Sequence, residues 1–264
     1  MKPSARSVAV VTGASSGIGA AWARKLAREG FDLFLVARRE DRLRSLGAEL
    51  ATLGAQSEIR VCDLSDPASR EELSRDLRSR QNLSVLVHCA GFGVTGPIGE
   101  ADPAQLERMA QVHVNATIAL TSAVVPGMKE RTSGRIVVVS SIAGWLRGAG
   151  SATYCATKAF ETSYTRSLAR EARASGVKVL ALCPGYTRTE FHDTPEYADW
   201  DRNSVPSRMW DTPEHVVEVA WRDLERGKSL CVPGLRNKLV VFAMGSGLVG
   251  LVRERIRRRG PKAN

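Results

Sequence analysis

The sequence of 264 residues predicts a doubly wound α/β fold in which a parallel sheet of about seven strands lies between two layers of helices. Short apolar segments rich in β-branched residues alternate with helical patterns along the chain, which is typical of parallel sheets. A glycine-rich turn, residues 13–19, links the first such segment to the first helical pattern. The length also fits, because a single α/β domain commonly exceeds about 200 residues.

Seven segments are predicted to be strands, namely residues 7–12, 31–37, 57–62, 83–89, 135–139, 177–182 and 229–232. Apolar periodicity predicts long helices over residues 106–124 and 153–174. Thr212 followed by Pro213 marks the start of a later helix that ends near Gly227. Because parallel strands present their carboxyl ends at one edge of a sheet, we expect the residues that follow each strand to meet there.

The glycine turn is predicted to bind a nucleotide. A strand, a glycine turn and a helix in this order direct free backbone N–H groups and a positive helix end at a phosphate. A glycine cluster can also be a plain tight turn, but the flanking strand and helix favour the nucleotide site. The residues of the turn expected to contact it are Gly13, Ser15, Ser16, Gly17, Ile18 and Gly19.

Arg38 and Arg39 follow the second predicted strand, at a place where an NAD site usually carries an acid for the ribose hydroxyl groups. A guanidinium group can bind the 2′-phosphate that an acid would repel, so the two arginines favour NADP(H) over NAD. The alternative is a solvated helix start, because residues 40–44 carry further charges.

Polar and small residues follow the next two strands. Asp63 lies at the sheet edge, beside Leu64, where it can bind the adenine amino group; alternatively Asp63 or Ser65 caps the next helix. The small residues Ala90 and Gly91 would let the backbone lie against a cofactor. Both segments are therefore predicted to border the nucleotide site.

Ser141, Tyr154 and Lys158 are the candidate chemical groups. Tyr154 and Lys158 lie one turn apart on a single face of the predicted helix 153–174. A nearby ammonium group favours the phenolate and is expected to lower the pKa of Tyr154, which suits an acid/base. Ser141 can hold a substrate oxygen. Alone, this spacing also fits an exposed tyrosine and a solvated lysine, so the nucleotide site decides between the two interpretations.

With these motifs the chain resembles the short-chain dehydrogenase/reductase superfamily, in its compact single-domain branch, over about residues 7–234. The motifs that carry the resemblance are, in order, Thr12-Gly13-Ala-Ser-Ser-Gly17-Ile-Gly19, Asp63, Ala90-Gly91, Asn115, Ser141, Tyr154-xxx-Lys158 and Pro184-Gly185-Tyr-Thr187-Arg-Thr189. One departure is Cys89, because the family usually has asparagine there to brace the central sheet. The substitution bears on local rigidity and not on the chemistry.

The resemblance implies a Rossmann fold and a catalytic tetrad of Asn115, Ser141, Tyr154 and Lys158. Tyr154 would be the acid/base and Ser141 would orient the substrate carbonyl group. Lys158 would bind the nicotinamide ribose and lower the pKa of Tyr154, and Asn115 would hold a water in a proton relay. Further cofactor contacts are expected from Asp63, Leu64, Ala90, Gly91, Pro184, Gly185, Thr187 and Thr189.

The activity implied by the resemblance is an NADP(H)-dependent oxidoreductase that interconverts a ketone or aldehyde and an alcohol. The alternatives are a catalytically silent NADP-binding scaffold or regulator of the same fold and a lipid or steroid reductase at the membrane surface. Against the scaffold, Ser141, Tyr154 and Lys158 are all present. The resemblance also implies a homodimer or homotetramer.

The segment 186–212 has little periodicity and carries several aromatic residues, among them Tyr197, Trp200 and Trp210, which is typical of a lid over a substrate. The residues predicted to bind substrate are Ser141, Trp145, Tyr186 and Phe191, with Leu146 facing the same cavity. Ordinary packing under a loop is the alternative for each aromatic side chain. Together they favour a bulky, apolar carbonyl or alcohol substrate.

The net charge of +10 is concentrated at the C-terminus, where residues 236–264 carry eight Lys or Arg and one acid. The domain is predicted to span residues 1–234 and to be followed by a basic, partly apolar extension, 235–264. This extension is expected to pack on the domain or on a second copy, or alternatively to lie on an anionic membrane surface. No basic patch interleaved with aromatic residues indicates nucleic-acid binding.

Five scattered cysteines without a CxxC motif indicate reduced thiols and no metal site. The residues before the first strand contain no apolar run that would indicate a signal peptide. We therefore expect a cytoplasmic protein, with peripheral membrane contact as the alternative.

Overall fold

A computed structural model describes residues 6–193, 201 and 204–245 of the chain. Its strands are β1 (Val8–Thr12), β2 (Asp32–Ala37), β3 (Ser57–Val61), β4 (Leu83–His88), β5 (Gly134–Val139), β6 (Val177–Leu182) and β7 (Leu230–Cys231). They form one parallel sheet in the order β3-β2-β1-β4-β5-β6-β7. The strand order reverses between β1 and β4, which opens the crevice where such sheets bind ligands.

Eight α-helices surround the sheet in the described part of the chain. They are α1 (Gly17–Arg28), α2 (Glu40–Thr52), α3 (Pro67–Ser79), α4 (Pro103–Ala110), α5 (Ala116–Glu130), α6 (Ala152–Ala172), α7 (Pro213–Glu225) and α8 (Leu235–Gly245). The predicted doubly wound, three-layer fold is confirmed.

The two faces of the sheet are buried against different helices because successive side chains of a strand point in opposite directions. Val11 of β1 belongs to one apolar cluster, together with residues of α1, α2 and α7. Its neighbour Val10 belongs to a second cluster, with residues of α3, α5 and α6. This double burial explains why the strands read as continuous apolar segments.

Three helices begin as capping rules expect. The side chains of Asp66, Asp102 and Thr212 each accept a hydrogen bond from a backbone N–H in the first turn, and each is followed by proline. The predicted helix start at Thr212 is therefore confirmed. Asp66 caps α3, so neither Asp63 nor Ser65, the alternatives considered above, is the N-cap of this helix.

The long helix predicted over residues 106–124 is interrupted. A π-helical turn, Gln111–Asn115, separates α4 from α5. Such a turn inserts an extra residue into the helix and is frequent at functional sites. It rotates the side chains before the turn relative to those after it.

The predicted C-terminal extension begins with α8. Asn237 of this helix is buried and donates from Nδ2 to the Pro233 carbonyl oxygen (2.8 Å), while Val241 packs on a small apolar cluster at the end of β6. The opposite side exposes Leu235, Leu239 and Phe242. The rest of the extension, from residue 246, lies outside the described residues. Among the helices described above, none has the length and hydropathy needed to cross a bilayer.

Candidate active site

A cavity of about 610 Å³ opens at the carboxyl ends of the central strands. Small-molecule sites commonly occupy about 300–1,000 Å³. The predicted cofactor residues that line it are Gly13, Ser15, Ser16, Gly17, Ile18, Gly19, Arg38, Arg39, Asp63, Leu64, Ala90, Gly91, Tyr154, Lys158, Pro184, Gly185, Thr187 and Thr189. Ser141, Tyr186 and Phe191 of the predicted substrate set line it as well.

The glycine turn is packed so closely that side chains would not fit. A Cβ atom at Gly13, whose φ is +67°, would lie 2.9 Å from the Ala90 backbone. A Cβ atom at Gly19 would lie 2.1 Å from the Gly13 carbonyl oxygen. The backbone at the start of α1 therefore borders the cavity directly, a cradle that fits the pyrophosphate of a dinucleotide.

A basic wall follows β2. The Arg39 guanidinium donates to Ser15 Oγ, at 3.2 Å from Nε and 3.0 Å from Nη2, and its Nη1 lies 3.0 Å from Glu190 Oε2. Arg42 donates to the other oxygen of the same carboxylate. Two guanidinium groups thus converge on one anion in front of the glycine turn, an arrangement that also suits a phosphate.

The hydroxyl group of Thr12 joins β1 to the loop after β4. Its Oγ1 accepts hydrogen bonds from the backbone N–H groups of Cys89 (3.1 Å) and Ala90 (3.2 Å), and lies 2.9 Å from His88 Nδ1. His88 Nε2 lies 3.3 Å from the Val112 carbonyl oxygen. The network assigns the ring proton to Nε2, so Thr12 donates to Nδ1. This brace connects the strands next to Cys89, where the family usually has asparagine.

Ser141 and Tyr154 meet at the inner end of the cavity. Ser141 follows β5, accepts a hydrogen bond from the Ala143 N–H (3.1 Å), and hydrogen-bonds to the Tyr154 side chain. Desolvation raises the pKa of Tyr154 above its usual value, although the hydrogen bond to Ser141 acts in the opposite direction. The lowered pKa expected from the sequence is therefore not what the structure shows.

Burial of Tyr154 is the main cause of this difference, and Lys158 does not offset it. Its Nζ lies 5.9 Å from the Tyr154 ring centroid, donates to the Val139 carbonyl oxygen (3.1 Å), and lies 2.9 Å from Glu161 Oε2. The carboxylate neutralises much of the ammonium field that Tyr154 would otherwise experience.

The structure does not bring Asn115 into the cavity. Asn115 is exposed, and its Nδ2 donates to Gln111 Oε1 (2.7 Å) within the π-helical turn. The structure therefore does not place the predicted fourth catalytic residue, Asn115, beside Ser141, Tyr154 and Lys158, because the turn directs its side chain outward; its catalytic role stays a prediction.

His113, two residues earlier, faces the site instead. It is fully buried, with Nε2 3.3 Å from the Phe92 N–H and Nδ1 2.9 Å from Thr157 Oγ1. Its ring centroid is 6.0 Å from that of Tyr154. The sequence contained a signal for this residue, because His113 shares a helical face with apolar Met109 and Ala116 whereas Asn115 does not.

Of the predicted aromatic substrate residues, Tyr186 and Phe191 line the cavity and Trp145 does not. The Phe191 ring lies 6.1 Å from that of Tyr154, and Tyr186 lies 5.5 Å from Trp210. The predicted position of Trp145 in the substrate cavity is corrected by the structure. The short helical turn Ile142–Trp145 places this side chain in the apolar cluster with Val232, and it does not line the cavity.

The cavity also contains lining residues that the sequence did not indicate. They include Phe92, Thr95, Gly148, Ser151 and His192. Leu146 lines the cavity as predicted. Tyr197 and Trp200 of the predicted lid lie outside the described residues.

The sequence profile described as short chain dehydrogenase matches residues 7–198, which is most of the chain. The chain belongs to this family. A 1-deoxy-11-beta-hydroxypentalenate dehydrogenase from Streptomyces exfoliatus is 39% identical over 186 residues, covering 69% of this chain and 67% of the relative. The chain is thus an oxidoreductase of the short-chain dehydrogenase type.

Two solved structures are similar to this dehydrogenase along almost its whole length. A short-chain dehydrogenase from Sphingobium yanoikuyae in complex with NADPH is 31% identical, with a TM-score of 0.82, covering 98% of this chain and 97% of the other. A bulky-bulky ketone specific alcohol dehydrogenase from Comamonas testosteroni is 25% identical, with a TM-score of 0.78, covering 98% and 96%. The similarity to both structures therefore covers almost the whole chain.

Three parts of the cavity carry groups that would suit a nicotinamide dinucleotide, the cofactor class of this family. The glycine cradle suits its pyrophosphate, the basic wall suits a 2′-phosphate, and Lys158 lies near Gly91, where a Cβ atom would come within 3.5 Å of Nζ. In the described ranges, no group of three or more His, Cys, Asp or Glu is arranged to hold a metal ion.

Proposed function

We propose that the protein is an NADP(H)-dependent oxidoreductase that interconverts a ketone or aldehyde and an alcohol, with Tyr154 as the general acid/base. The observation that carries the proposal is the hydrogen bond between Ser141 and Tyr154, at the inner end of a cavity that begins at the glycine turn. A donor pair and a nucleotide cradle within one cavity are what carbonyl reduction requires.

The preference for NADP(H) over NAD rests on the basic wall. Arg38 lines the cavity, and Arg39 and Arg42 already hold one anion, the carboxylate of Glu190. A 2′-phosphate carries more charge than a carboxylate and accepts the same bidentate hydrogen bonds. The similar Sphingobium structure contains NADPH, which supports the same choice.

The proposed mechanism assigns one task to each side chain. When bound, NADP(H) supplies or accepts the hydride. Ser141 donates a hydrogen bond to the substrate oxygen and Tyr154 gives that oxygen its proton during reduction. The raised pKa of Tyr154 keeps its phenol protonated at neutral pH, ready to donate. His113 fixes the Phe92 backbone and Thr157 beside them.

The substrate is proposed to be bulky and apolar. The apolar and aromatic residues Phe92, Leu146, Tyr186 and Phe191 line the same cavity as Tyr154. Aromatic walls of this kind favour apolar groups on both sides of a carbonyl. One of the similar structures is described as specific for bulky-bulky ketones, which supports this substrate class.

The test combines cofactor binding with turnover. The purified protein is titrated with NADPH and with NADH, and is then assayed with each cofactor on a panel of bulky ketones and alcohols. NADPH should bind more tightly. Tyr154→Phe should retain NADPH binding and lower kcat by about 10²–10⁴-fold, the usual contribution of a general acid.

Tyr164→Phe is the matched control, because it removes a tyrosine hydroxyl from the same helix, where that hydroxyl contacts Thr121 (2.9 Å) and not the cavity. It should keep wild-type turnover. Undiminished activity in Tyr154→Phe would exclude the assigned mechanism. NADPH binding without turnover on the whole panel would instead favour the scaffold alternative.

A further inference from the structure

Glu161 is a buried carboxyl group for which the mechanism above has no role. It lies on α6, one turn after Lys158, and is 1% exposed. Burying a carboxyl group is costly unless a cation or several hydrogen-bond donors compensate it. An apolar side chain would fill the same space without this cost.

Lys158 is the only compensating group that the described residues provide for Glu161. The Lys158 Nζ lies 2.9 Å from Glu161 Oε2. Neither carboxylate oxygen accepts a well-oriented hydrogen bond from any other described residue. The pair is therefore an isolated buried ion pair, in which each member depends on the other.

Other titratable groups surround the pair from several elements. Tyr154 and Cys155 lie on α6 itself, Cys89 and His88 lie at the end of β4, His113 in the π-helical turn, and Cys183 after β6. Burial raises the pKa values of the Cys89 and Cys183 thiols to about 12 and lowers that of His88 to about 4. His88, His113, Cys89 and Cys183 therefore stay neutral around pH 7. Glu161 and Lys158 are the charged pair next to Tyr154 in this cluster.

We propose that Glu161 is a positioning residue of the active site, which directs the Lys158 ammonium group and, by gaining or losing a proton, controls its electrostatic effect on Tyr154. An ammonium group has three N–H donors. Val139 accepts one of them and the Glu161 carboxylate holds the ammonium by charge, which leaves a donor for a group in the cavity that Lys158 lines. The proposal rests on the proposed function of Tyr154 and adds a second titrating group to it.

The direction of the effect follows from charge. When Glu161 is protonated, the Lys158 ammonium is uncompensated and favours the Tyr154 phenolate. When Glu161 is ionised, its negative charge opposes that phenolate and raises the pKa of Tyr154. Desolvation, opposed by Lys158, raises the pKa of Glu161 to about 7, so the change falls within the neutral range.

The first experiment titrates Tyr154 without cofactor or substrate, by ultraviolet absorbance of the phenolate, with the Tyr154→Phe curve subtracted. Glu161→Gln keeps an oxygen for Lys158 but removes the negative charge. It should lower the apparent pKa of Tyr154 by at least about 0.5 unit. Glu171→Gln, an exposed glutamate of the same helix, should leave the titration unchanged. Equal curves for wild type, Glu161→Gln and Glu171→Gln would overturn the proposal.

A second measurement requires no variant that might fail to fold. Infrared spectra of the wild-type protein should show a protonated carboxyl band that persists above pH 5 and disappears around pH 7, because burial raises the pKa of Glu161. A spectrum without any protonated carboxyl group at pH 5.5 would contradict the proposal.

Kinetic measurements distinguish a positioning role of Glu161 from a role in packing alone. For alcohol oxidation, Glu161→Gln should move the pH profile of kcat to lower pH while KM for NADP stays near the wild-type value. Glu161→Leu, which also loses the contact to Lys158, should raise KM for NADP as well. A role in packing alone would change the unfolding midpoint and leave the pH profile unmoved. If the wild type shows no turnover, the proposed function fails, whereas the Tyr154 titration still tests Glu161.

Discussion

His113 connects three parts of the site through a single neutral ring. Its Nε2 accepts from the Phe92 N–H, and its Nδ1 donates to Thr157 Oγ1, which in turn donates to the Tyr154 carbonyl oxygen (2.9 Å). Burial, with a smaller contribution from Lys158, lowers the pKa of His113 well below its usual value. A protonated ring would lose the bond from Phe92, so only the neutral form fits the network.

We expect His113→Ala to lower kcat by about 10²-fold, because loss of the ring releases the loop and the helix that position the Tyr154 side chain. NADPH affinity should change less than kcat, since the glycine turn and the basic wall are untouched. Steady-state kinetics and an NADPH titration measure the two quantities.

Asn115→Ala is the matched control for His113, because Asn115 lies two residues away on the exposed side of the same turn. It should keep wild-type kcat. A large loss of turnover in Asn115→Ala together with an active His113→Ala would show that the outward position of Asn115 is not the catalytic arrangement.

At the scale of single residues, the sequence predicted which side chains meet in the cavity better than it predicted their individual contacts. Ser141, Tyr154 and Lys158 were predicted from residue type and spacing together with the nucleotide motifs, and all three line one cavity. The pairing of Lys158 with Glu161 was not predicted, because its three-residue spacing is also that of an exposed helix pair. The Lys158–Glu161 pair differs from an exposed helix pair because it is buried, and burial of this face depends on how α6 packs against β5 and β6.

The short helical turn Glu190–His192 is the element that connects the basic wall to the substrate side of the cavity. Glu190, its first residue, pairs with Arg39 and Arg42, and the next residue, Phe191, contacts the Tyr154 ring. The carboxylate thus occupies the guanidinium groups that a 2′-phosphate would require, so the proposed NADP(H) and Glu190 would compete for the same donors.

We expect Glu190→Gln to tighten NADPH binding about two- to five-fold, since exposed ion pairs of this kind contribute ~0.2–1 kcal/mol. NADH, which lacks the 2′-phosphate, should bind with unchanged affinity. Fluorescence titration of both cofactors measures the difference, with the exposed Glu171→Gln as a charge-matched control. Equal tightening of NADPH and NADH would show that Glu190 acts on the shared part of the dinucleotide.

The regular elements were predictable because their patterns are local. Alternating strands and helices, and the proline-marked start of α7, follow from short-range rules. The π-helical turn at Gln111–Asn115 was not, since an apolar periodicity does not reveal one extra residue in the hydrogen-bond ladder. The position of Trp145 was not predictable either, because it packs in a cluster to which α8, distant in sequence, contributes.

Across the whole molecule, the site is a consequence of strand order. Parallel strands bring residues as distant in sequence as Gly13 and Gly185 to one edge, so the convergence was predictable once the sheet was. The predicted division at residue 234 and the role of the basic extension stay predictions, since most of the extension lies outside the described residues.

We expect the buried ring of His88, which lies at the same edge of the sheet, to make the fold sensitive to acid. This ring lies in the centre of the sheet, between Thr12 and the Val112 carbonyl group, and is 1% exposed. Thr12 Oγ1 already accepts two backbone N–H groups and uses its own proton for His88 Nδ1. A second ring proton would therefore find no acceptor, and burial, assisted by Lys158, lowers the pKa of His88 to about 4.

Because the folded-state pKa of His88 lies below the unfolded value of about 6.5, its stabilising contribution is complete above that pH and is lost as the pH falls towards 4. The loss should approach ~3 kcal/mol of unfolding free energy. Urea unfolding of wild type and His88→Gln between pH 4 and 8 measures it. The stability difference between the two should shrink on acidification, whereas His215→Gln, at an exposed histidine, should retain the acid loss of the wild type. A pH-independent difference between wild type and His88→Gln would mean that acid acts on the fold elsewhere, with buried His113 as the next group to replace.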